Sequence, residues 1–178
     1  MSKSKVTAAE LEQAIRNVPD FPKPGIQFKD ITPVLEDRRL FAGCIDLLTA
    51  HIQPGSVDTV VGIDARGFIF AAAAALKLGA GFVPVRKKGK LPYTTYEQSY
   101  DLEYGSNTVA IHTDAVKPGG RVLLIDDLLA TGGTAAAAAA LLQRVGANIV
   151  AINFLIELSF LDGRKKLAGL PIHSLVKY

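Results

Sequence analysis

The sequence predicts an α/β domain in which a central, mostly parallel sheet is flanked by helices. Apolar strand-like runs alternate with helix-like segments from residue 59 to residue 157, and this alternation is typical of parallel strands joined by right-handed crossovers. Hydrophobic residues make up 49% of the 178 residues, which supplies one sizeable core and indicates a single domain over residues 1–178. Ligands of such sheets bind at the carboxyl ends of the strands.

Helices are predicted where a capping residue precedes apolar residues at helical spacing or a run of alanines. Thr7 and Glu10 match a capping box, and Asp37 is the expected cap of the second helix. Gly79 and Gly146 stand where helices commonly end. The predicted helices are residues 8–17, 38–52, 67–78, 135–145 and 162–167.

Strands are predicted where short β-branched and aliphatic runs are bounded by turn residues. The predicted strands are residues 59–63, 81–86, 107–112, 122–125, 148–158 and 172–176. Residues 21–33 are rich in proline and glycine, so they are predicted to be irregular and extended. Residues 87–105 are mostly polar and aromatic. Loops of that length commonly bind or cover ligands, so we call residues 87–105 the lid segment.

Composition and charge narrow the classes of function. The single cysteine, Cys44, excludes an internal disulfide framework and lies in an apolar helical pattern, so it is expected to be a core thiol. The net charge of +3 fits an anionic small substrate and fits nucleic acid equally well. No apolar run reaches the roughly 18 residues of a membrane span, and no signal-peptide pattern opens the chain. These features favour a cytoplasmic, soluble protein.

The segment Val122–Thr134 carries the strongest functional signal. An apolar strand is followed by the carboxylates Asp126 and Asp127, and then by a small, hydroxylated turn and six alanines. Glycine amides and a helix N-terminus suit a phosphate, while paired carboxylates suit ribose hydroxyls or a hydrated Mg²⁺. The alternative is an ordinary strand–turn–helix unit, but a buried acid pair is costly without a partner. The order of these groups therefore favours a sugar phosphate.

Two further segments follow strands at the same predicted edge of the sheet. Asp64-Ala65-Arg66 opens a helix, where backbone amides and a guanidinium could hold a diphosphate; a simple helix cap is the alternative. The run Arg86–Lys90 places four cations in five positions. Such a run is usually a solvated face, but here it begins the lid segment, which could bring cations to phosphates and a carboxylate to the reacting centre.

Residues 122–134 resemble the PRPP (5-phosphoribosyl 1-diphosphate) signature of the type I phosphoribosyltransferases. Together with the motifs at residues 20–31, 86–92 and 102–105, the whole chain resembles the members of that family that act on adenine. The resemblance implies a type I phosphoribosyltransferase-like fold, with a small hood from about residues 1–35 and 158–178 and a flexible lid. It implies transfer of phosphoribosyl from PRPP to adenine, a homodimer, and no nucleic-acid or membrane partner. It also implies a cis peptide bond between Asp64 and Ala65.

The resemblance also implies roles for particular residues. The catalytic residues are Glu103 and Arg66. PRPP and AMP are bound by Asp126, Asp127, Ala130, Thr131, Gly132, Gly133 and Thr134. Diphosphate is bound by Asp64, Ala65, Arg66, Arg86, Lys87 and Lys90. Adenine is bound by Gln27, Phe28, Lys29 and Leu158, and Tyr104 belongs to the lid.

Several of these roles have alternatives that the sequence leaves open. Glu103 either stabilises the ribosyl cation or helps to move a proton at the purine. Arg86 serves either its own subunit or the neighbour's, and Phe28 and Leu158 are either purine contacts or core residues. Mg²⁺ is expected to arrive with PRPP, without a direct protein ligand, and Asp126 would reach it through water.

Lys29 departs from the family pattern, and Ala130 bears on which base a member of the family uses. Lys29 stands where an arginine is common, and the purine is read there mainly by backbone groups, so little harm is expected. Enzymes for 6-oxopurines usually carry an aspartate where this chain has Ala130, which argues against hypoxanthine and guanine. The remaining alternatives are transfer to another base and a regulatory protein that uses the same fold to bind nucleic acid.

Overall fold

The structure is a computed structural model that describes residues 5–101 and 106–178. Its strands are β1 Arg16–Pro19, β2 Gln27–Asp30, β3 Thr59–Ile63, β4 Gly81–Lys87, β5 Thr95–Asp101, β6 Ser106–His112, β7 Arg121–Leu129, β8 Asn148–Glu157 and β9 Ile172–Lys177. Its α-helices are α1 Ala8–Ala14, α2 Thr32–Glu36, α3 Arg38–Leu48, α4 Gly67–Leu78 and α5 Gly133–Arg144. Short 3₁₀ helices cover Ser159–Leu161 and Gly163–Leu167.

Strands β3 to β9 form one sheet in the order β5-β6-β4-β3-β7-β8-β9. Strands β4, β3, β7, β8 and β9 are parallel, and β6 pairs antiparallel with both β4 and β5. The connection after β3 leads to β4 on one side, whereas the connection after β7 leads to β8 on the other. A crevice therefore opens between the carboxyl ends of β3 and β7, which is where open α/β sheets bind ligands.

The core has two layers, one on each face of the sheet. Helices α1 to α4 pack on one face with the side chains of Leu123 and Ile125, while α5 packs on the other face with those of Val122 and Leu124. This alternation along β7 follows from the two-residue period of a strand. Alanines of α4 and α5 are buried in these layers, and their small side chains bring both helices close to the sheet.

Most predicted elements are confirmed. Strand 59–63 and helix 67–78 have the predicted bounds, and Asp37 caps α3 by accepting hydrogen bonds from the backbone of Arg39 and Leu40. The capping box of Thr7 and Glu10 is present. In the described part of the chain, no helix has the length and apolarity needed to cross a membrane.

Some predictions of local structure were wrong. The first helix was expected to continue to about Asn17, but α1 ends at Ala14 and Arg16–Pro19 form β1, because β2 pairs with them. Residues within 21–33 were expected to be irregular, yet β2 pairs with β1 in a small antiparallel sheet and α2 follows it. Residues 95–101 of the lid segment form β5, because β6 pairs with them along their whole length. Strand β7 does not end at Ile125, because β8 continues to pair with it as far as Leu129.

The two segments expected to form the hood meet in the structure. The ammonium group of Lys29 on β2 lies 3.6 Å from the ring centroid of Tyr178. Within the C-terminal segment, residues 172–177 form β9, the edge strand of the main sheet, where the last strand was predicted.

Candidate active site

A cavity of about 360 Å³ opens between the carboxyl ends of β3 and β7. It is lined by Ile63, Asp64, Ala65, Arg66, Tyr100 and the continuous stretch from Asp126 to Ala135. The loop after β3, the end of β7 and the start of α5 thus face a common space. The sequence placed these segments at the same edge of the sheet, and the structure brings them to one cavity.

The acid pair lies at the base of this cavity. Asp126 is half-buried and Asp127 is 6% exposed, and the backbone N–H of Asp127 donates to Asp126 Oδ1 at 2.9 Å. A Cβ atom at Gly67 would lie 2.6 Å from Asp126 Oδ1, so this carboxylate occupies the space that a side chain at the start of α4 would take. The glycine is therefore required for the position of the acid.

Arg66 is the cation beside the acid pair. Its Nε lies 2.8 Å from Asp127 Oδ2, and its side chain remains 39% exposed. This contact uses one of the five N–H donors of the guanidinium. The guanidinium carbon also lies 5.4 Å from the ring centroid of Phe28 on β2. Arg66 therefore connects the acid pair to the N-terminal hairpin and faces the cavity from between them.

Burial raises the pKa of both carboxyl groups. The pKa of Asp126 lies well above its ordinary value, because its carboxylate is desolvated and Asp127 lies beside it. The pKa of Asp127 is raised by desolvation as well, and the charge of Arg66 opposes that shift. The pKa of Asp126 is thus the more strongly raised of the two, while Asp127 is paired with Arg66.

This arrangement predicts that Asp126→Asn stabilises the protein without ligand. An acid whose pKa is raised by folding contributes stability at low pH and loses it as the pH rises through the folded pKa. The contribution of Asp126 to the free energy of unfolding should therefore fall as the pH rises from about 4 toward 8. Asp126→Asn lacks this contribution, so its stability relative to the wild type should increase over this pH range and should be higher at pH 7 by on the order of 1 kcal/mol.

Urea denaturation at several pH values measures this effect. The control is Asp46→Asn, because Asp46 is a surface carboxylate whose side chain is 71% exposed beside Lys77. That substitution should leave the pH dependence close to that of the wild type. A lower stability of Asp126→Asn at pH 7 would contradict the prediction.

The turn 130–134 lies between β7 and α5. Gly132 has a φ of 76°, in the left-handed region that favours glycine, and it directly precedes the first turn of α5. The N-terminus of α5 therefore presents backbone N–H groups to the cavity. The hydroxyl of Thr134 donates to the hydroxyl oxygen of Tyr100 on β5 at 2.9 Å. An anion in this turn would meet backbone amides and hydroxyl groups together.

The loop after β3 has the backbone geometry that the resemblance implied. The peptide bond between Asp64 and Ala65 is cis, which confirms that prediction. Arg86 Nε lies 3.2 Å from Asp64 Oδ2, and Arg86 Nη1 donates to the carbonyl of Lys90 at 3.0 Å. Arg86 is thus held against the diphosphate-loop candidate of its own chain.

Other predicted residues lie farther from the cavity. Lys87 and Lys90 are exposed at the end of β4 and in the following turn, and they are not among the residues that line it. The side-chain oxygen of Gln27 accepts from Asn17 at 2.9 Å, and Lys29 reaches Tyr178. Leu158 is half-buried and packs against the core layer that helices α1 to α4 cover. Its backbone N–H donates to the carbonyl of Leu129. Phe28 lies beside Arg66, the cation that pairs with Asp127.

The structure adds a residue that the sequence reasoning had not selected. Tyr100 lines the cavity, because β5 pairs with β6 and thereby reaches the start of α5. The sequence did contain a signal for it. Tyr96 and Tyr100 are four residues apart, and the two-residue period of a strand puts both on one face. Glu103 and Tyr104 lie outside the described residues, so their roles stay predictions.

The side chains available as metal ligands indicate how a magnesium ion could bind. Among residues 5–101 and 106–178 there is no group of three or more His, Cys, Asp or Glu side chains that could hold a metal ion. The oxygens of Asp126 and Asp127 are nevertheless hard donors of the kind Mg²⁺ prefers. These residues fit a magnesium ion that brings most of its ligands with it and meets the protein through water.

Comparison with known proteins places this geometry in a family. The family model for the phosphoribosyl transferase domain matches residues 31–167. An adenine phosphoribosyltransferase of Acidothermus cellulolyticus is 58% identical over 163 residues, which cover 92% of each chain. The crystal structure of adenine phosphoribosyltransferase from Thermoanaerobacter pseudethanolicus superposes with a TM-score of 0.93 at 52% identity, over 97% of this chain and 100% of that one.

A third relative was solved with ligands. Adenine phosphoribosyltransferase of Saccharomyces cerevisiae, complexed with an imino-altritol bisphosphate and adenine, superposes with a TM-score of 0.87 at 40% identity. That match covers 94% of this chain and 97% of the yeast chain. The chain therefore belongs to the phosphoribosyltransferase family and, within it, to the adenine phosphoribosyltransferases.

Proposed function

We propose that the cavity between β3 and β7 is where this enzyme binds PRPP and joins it to adenine. The enzyme transfers the 5-phosphoribosyl group of PRPP to adenine and yields AMP and diphosphate. In this reaction N9 of adenine forms a bond to C1′, the bond from C1′ to the diphosphate oxygen breaks, and a proton leaves the purine. The protein must therefore hold the 5′-phosphate, the diphosphate, the ribose and the base at once.

The three parts of PRPP have matching parts in the cavity. Backbone amides of the cis loop at Asp64 and Ala65, with Arg66, are placed to bind the diphosphate. The turn from Ala130 to Thr134, at the N-terminus of α5, is placed to bind the 5′-phosphate. The acid pair between them offers acceptors to the ribose hydroxyls. The observation that carries the proposal is that all three groups line one cavity.

The charges of this cavity follow the charge that develops in the reaction. As the C1′–diphosphate bond breaks, C1′ becomes cationic and the leaving group gains negative charge. Arg66 would stabilise that leaving group, and carboxylates near the ribose would stabilise the cation. Mg²⁺ bound to the diphosphate of PRPP would neutralise part of its charge. Glu103 is proposed to act at the cation or at the purine proton.

The adenine would bind beside the N-terminal hairpin. Phe28 presents an aromatic ring next to Arg66, and Leu158 adjoins the end of β7 through its bond to Leu129. Adenine is a ligand of the yeast relative's structure, which supports adenine as the base that this enzyme binds. Ala130 offers no carboxylate to a 6-oxopurine, so adenine is the favoured base.

The decisive test is a panel of bases. The purified protein with PRPP and Mg²⁺ should convert adenine to AMP, with kcat/KM at least about 100-fold above that for hypoxanthine, guanine, xanthine or orotate. Chromatographic separation of the nucleotide products measures each rate. Preferential use of another base would contradict the assignment, and tight DNA or RNA binding without turnover would favour the regulatory alternative.

The proposal includes a homodimer. Ile69 and Leu76 lie seven residues apart on one face of α4 and are 40% and 86% exposed. Phe82 on the adjoining β4 is 38% exposed, and its ring meets that of Phe68 with centroids 5.7 Å apart. Apolar side chains grouped in this way are typical of protein interfaces. A second copy of the chain would cover them.

The same face leads to the diphosphate loop, because Phe82 and Arg86 share one side of β4 by the two-residue period. Arg86 is bonded to Asp64 of its own chain, so we expect it to serve its own subunit. Mixing inactive Arg86→Ala with inactive Asp127→Asn should then restore no activity. Subunit exchange is verified by mass spectrometry of tagged dimers, and recovery in the mixed dimers would show that Arg86 acts across the interface.

A further inference from the structure

The hydrogen bond between Tyr100 and Thr134 joins two elements that meet at the phosphate end of the cavity. Thr134 is the second residue of α5, and Tyr100 is near the end of β5. The two hydroxyl oxygens are 2.9 Å apart. Tyr100 also lines the cavity, so its hydroxyl lies beside the turn 130–134 in the cavity wall.

Two tyrosines of β5 contact α5, one at each end of the helix. The ring of Tyr96 lies 4.1 Å from the guanidinium carbon of Arg144, the last residue of α5, while Tyr100 reaches Thr134. Ten helical residues span about 15 Å, and four strand residues span about 13 Å. The two lengths match, so the strand holds Tyr100 at the level of the first helical turn.

The number of protons in this pair limits what it can do for an anion. Thr134 has one hydroxyl proton, which it donates to Tyr100 in the structure. A phosphate oxygen has only lone pairs and needs a donor. If the Thr134 hydroxyl donates its hydrogen bond to a phosphate oxygen instead, the Tyr100 hydroxyl can rotate and donate its own hydrogen bond to Thr134 Oγ1. The result is a chain from Tyr100 through Thr134 to the phosphate, in which each bond polarises the next.

We propose that Tyr100 is a positioning residue for the 5′-phosphate, acting through the hydroxyl of Thr134. This inference rests on the proposed function of the turn 130–134 as the phosphate site. The ligand it serves is a phosphate monoester of a pentose, such as the 5′-phosphate of PRPP or of AMP. Tyr100 holds Thr134 Oγ1 in place before the ligand arrives and supplies the second donor of the chain once the ligand is bound.

The test removes the hydroxyl of Tyr100 and keeps its ring. In Tyr100→Phe, the dissociation constants of AMP and of ribose 5-phosphate should rise about 3- to 10-fold, while that of adenosine should stay unchanged. The KM of PRPP should rise with little change in kcat. Isothermal titration calorimetry measures the three ligands, and steady-state kinetics measures the split between KM and kcat.

Two further variants, at Thr134 and at Tyr96, test the coupling and serve as its control. Thr134→Val removes the linking hydroxyl, so adding Tyr100→Phe to it should weaken AMP binding no further. Tyr96→Phe, which changes the other tyrosine of β5, should bind all three ligands like the wild type. These results together would establish the coupling between Tyr100 and Thr134.

Two outcomes would overturn the inference. One is unchanged AMP affinity in Tyr100→Phe; the other is an equal loss of AMP and adenosine affinity, which would indicate a general structural effect. Failure of the proposed function is recognised separately. If the wild type makes no AMP but its affinity for ribose 5-phosphate still depends on Tyr100, the base assignment fails and the positioning role stands.

Discussion

Replacing Arg66 by methionine is expected to lower kcat for AMP formation by about 10²- to 10³-fold. Methionine keeps an unbranched side chain in the same space and removes the charge that would stabilise the departing diphosphate. It also leaves Asp127, which is 6% exposed, without its cation. Stability should fall by about 1–2 kcal/mol, a modest amount because Arg66 is itself partly solvated.

The two effects can be separated with a second substitution. In Arg66→Met/Asp127→Asn the buried charge is gone, so the stability should return while the activity stays low. The matched control is Arg121→Met, because Arg121 is 44% exposed and paired with Asp58 at the far end of the sheet. Steady-state kinetics and urea denaturation measure both quantities. A kcat for Arg66→Met within 5-fold of the wild type would remove Arg66 from the chemistry.

Replacing Gly163 by alanine is expected to lower kcat/KM for PRPP by about 10²-fold. A Cβ atom at Gly163 would overlap the carbonyl oxygen of Ala130 and lie 3.0 Å from the backbone nitrogen of Gly132. Both contacts are with backbone, so the turn 130–134 must shift to accept the methyl group. A displacement of about 1 Å at groups that position a substrate costs on the order of 10²-fold in rate.

A glycine with room around it provides the comparison. A Cβ atom at Gly81 would come no closer than 3.8 Å to its nearest neighbour, the carbonyl oxygen of Asp58. Gly81→Ala should therefore keep wild-type kinetics. If the KM of PRPP in Gly163→Ala matched that of the wild type, the packing of the 3₁₀ helix against the turn would have no part in forming the site.

Local patterns in the sequence were sufficient to predict the strands and helices that short apolar runs and turn residues mark directly. The strand of residues 59–63 and the helix of residues 67–78 have the predicted bounds, because apolar runs and a closing glycine mark them directly. The acid pair and the turn after it were recognised for the same reason, since they are continuous in sequence. The family, and with it the cis bond at Asp64, followed from several short motifs in a fixed order.

Pairing over long distances decided the rest. Strand β7 extends through the acid pair because β8, more than 20 residues later, continues to bond with it. Strand β5 exists because β6 lies beside it, although its own residues are mostly polar. No local pattern specifies such a partner, since register and neighbours depend on the whole sheet.

The contacts that define the candidate site belong to this second class. The sequence determined that a guanidinium, two carboxylates and a phosphate-binding turn would stand at one edge of a parallel sheet. The tertiary structure alone decided that Arg66 pairs with Asp127, that Gly163 supports the turn and that Tyr100 reaches Thr134. Each of these contacts joins residues more than 30 positions apart, and their geometry depends on how the packed helices and strands are arranged.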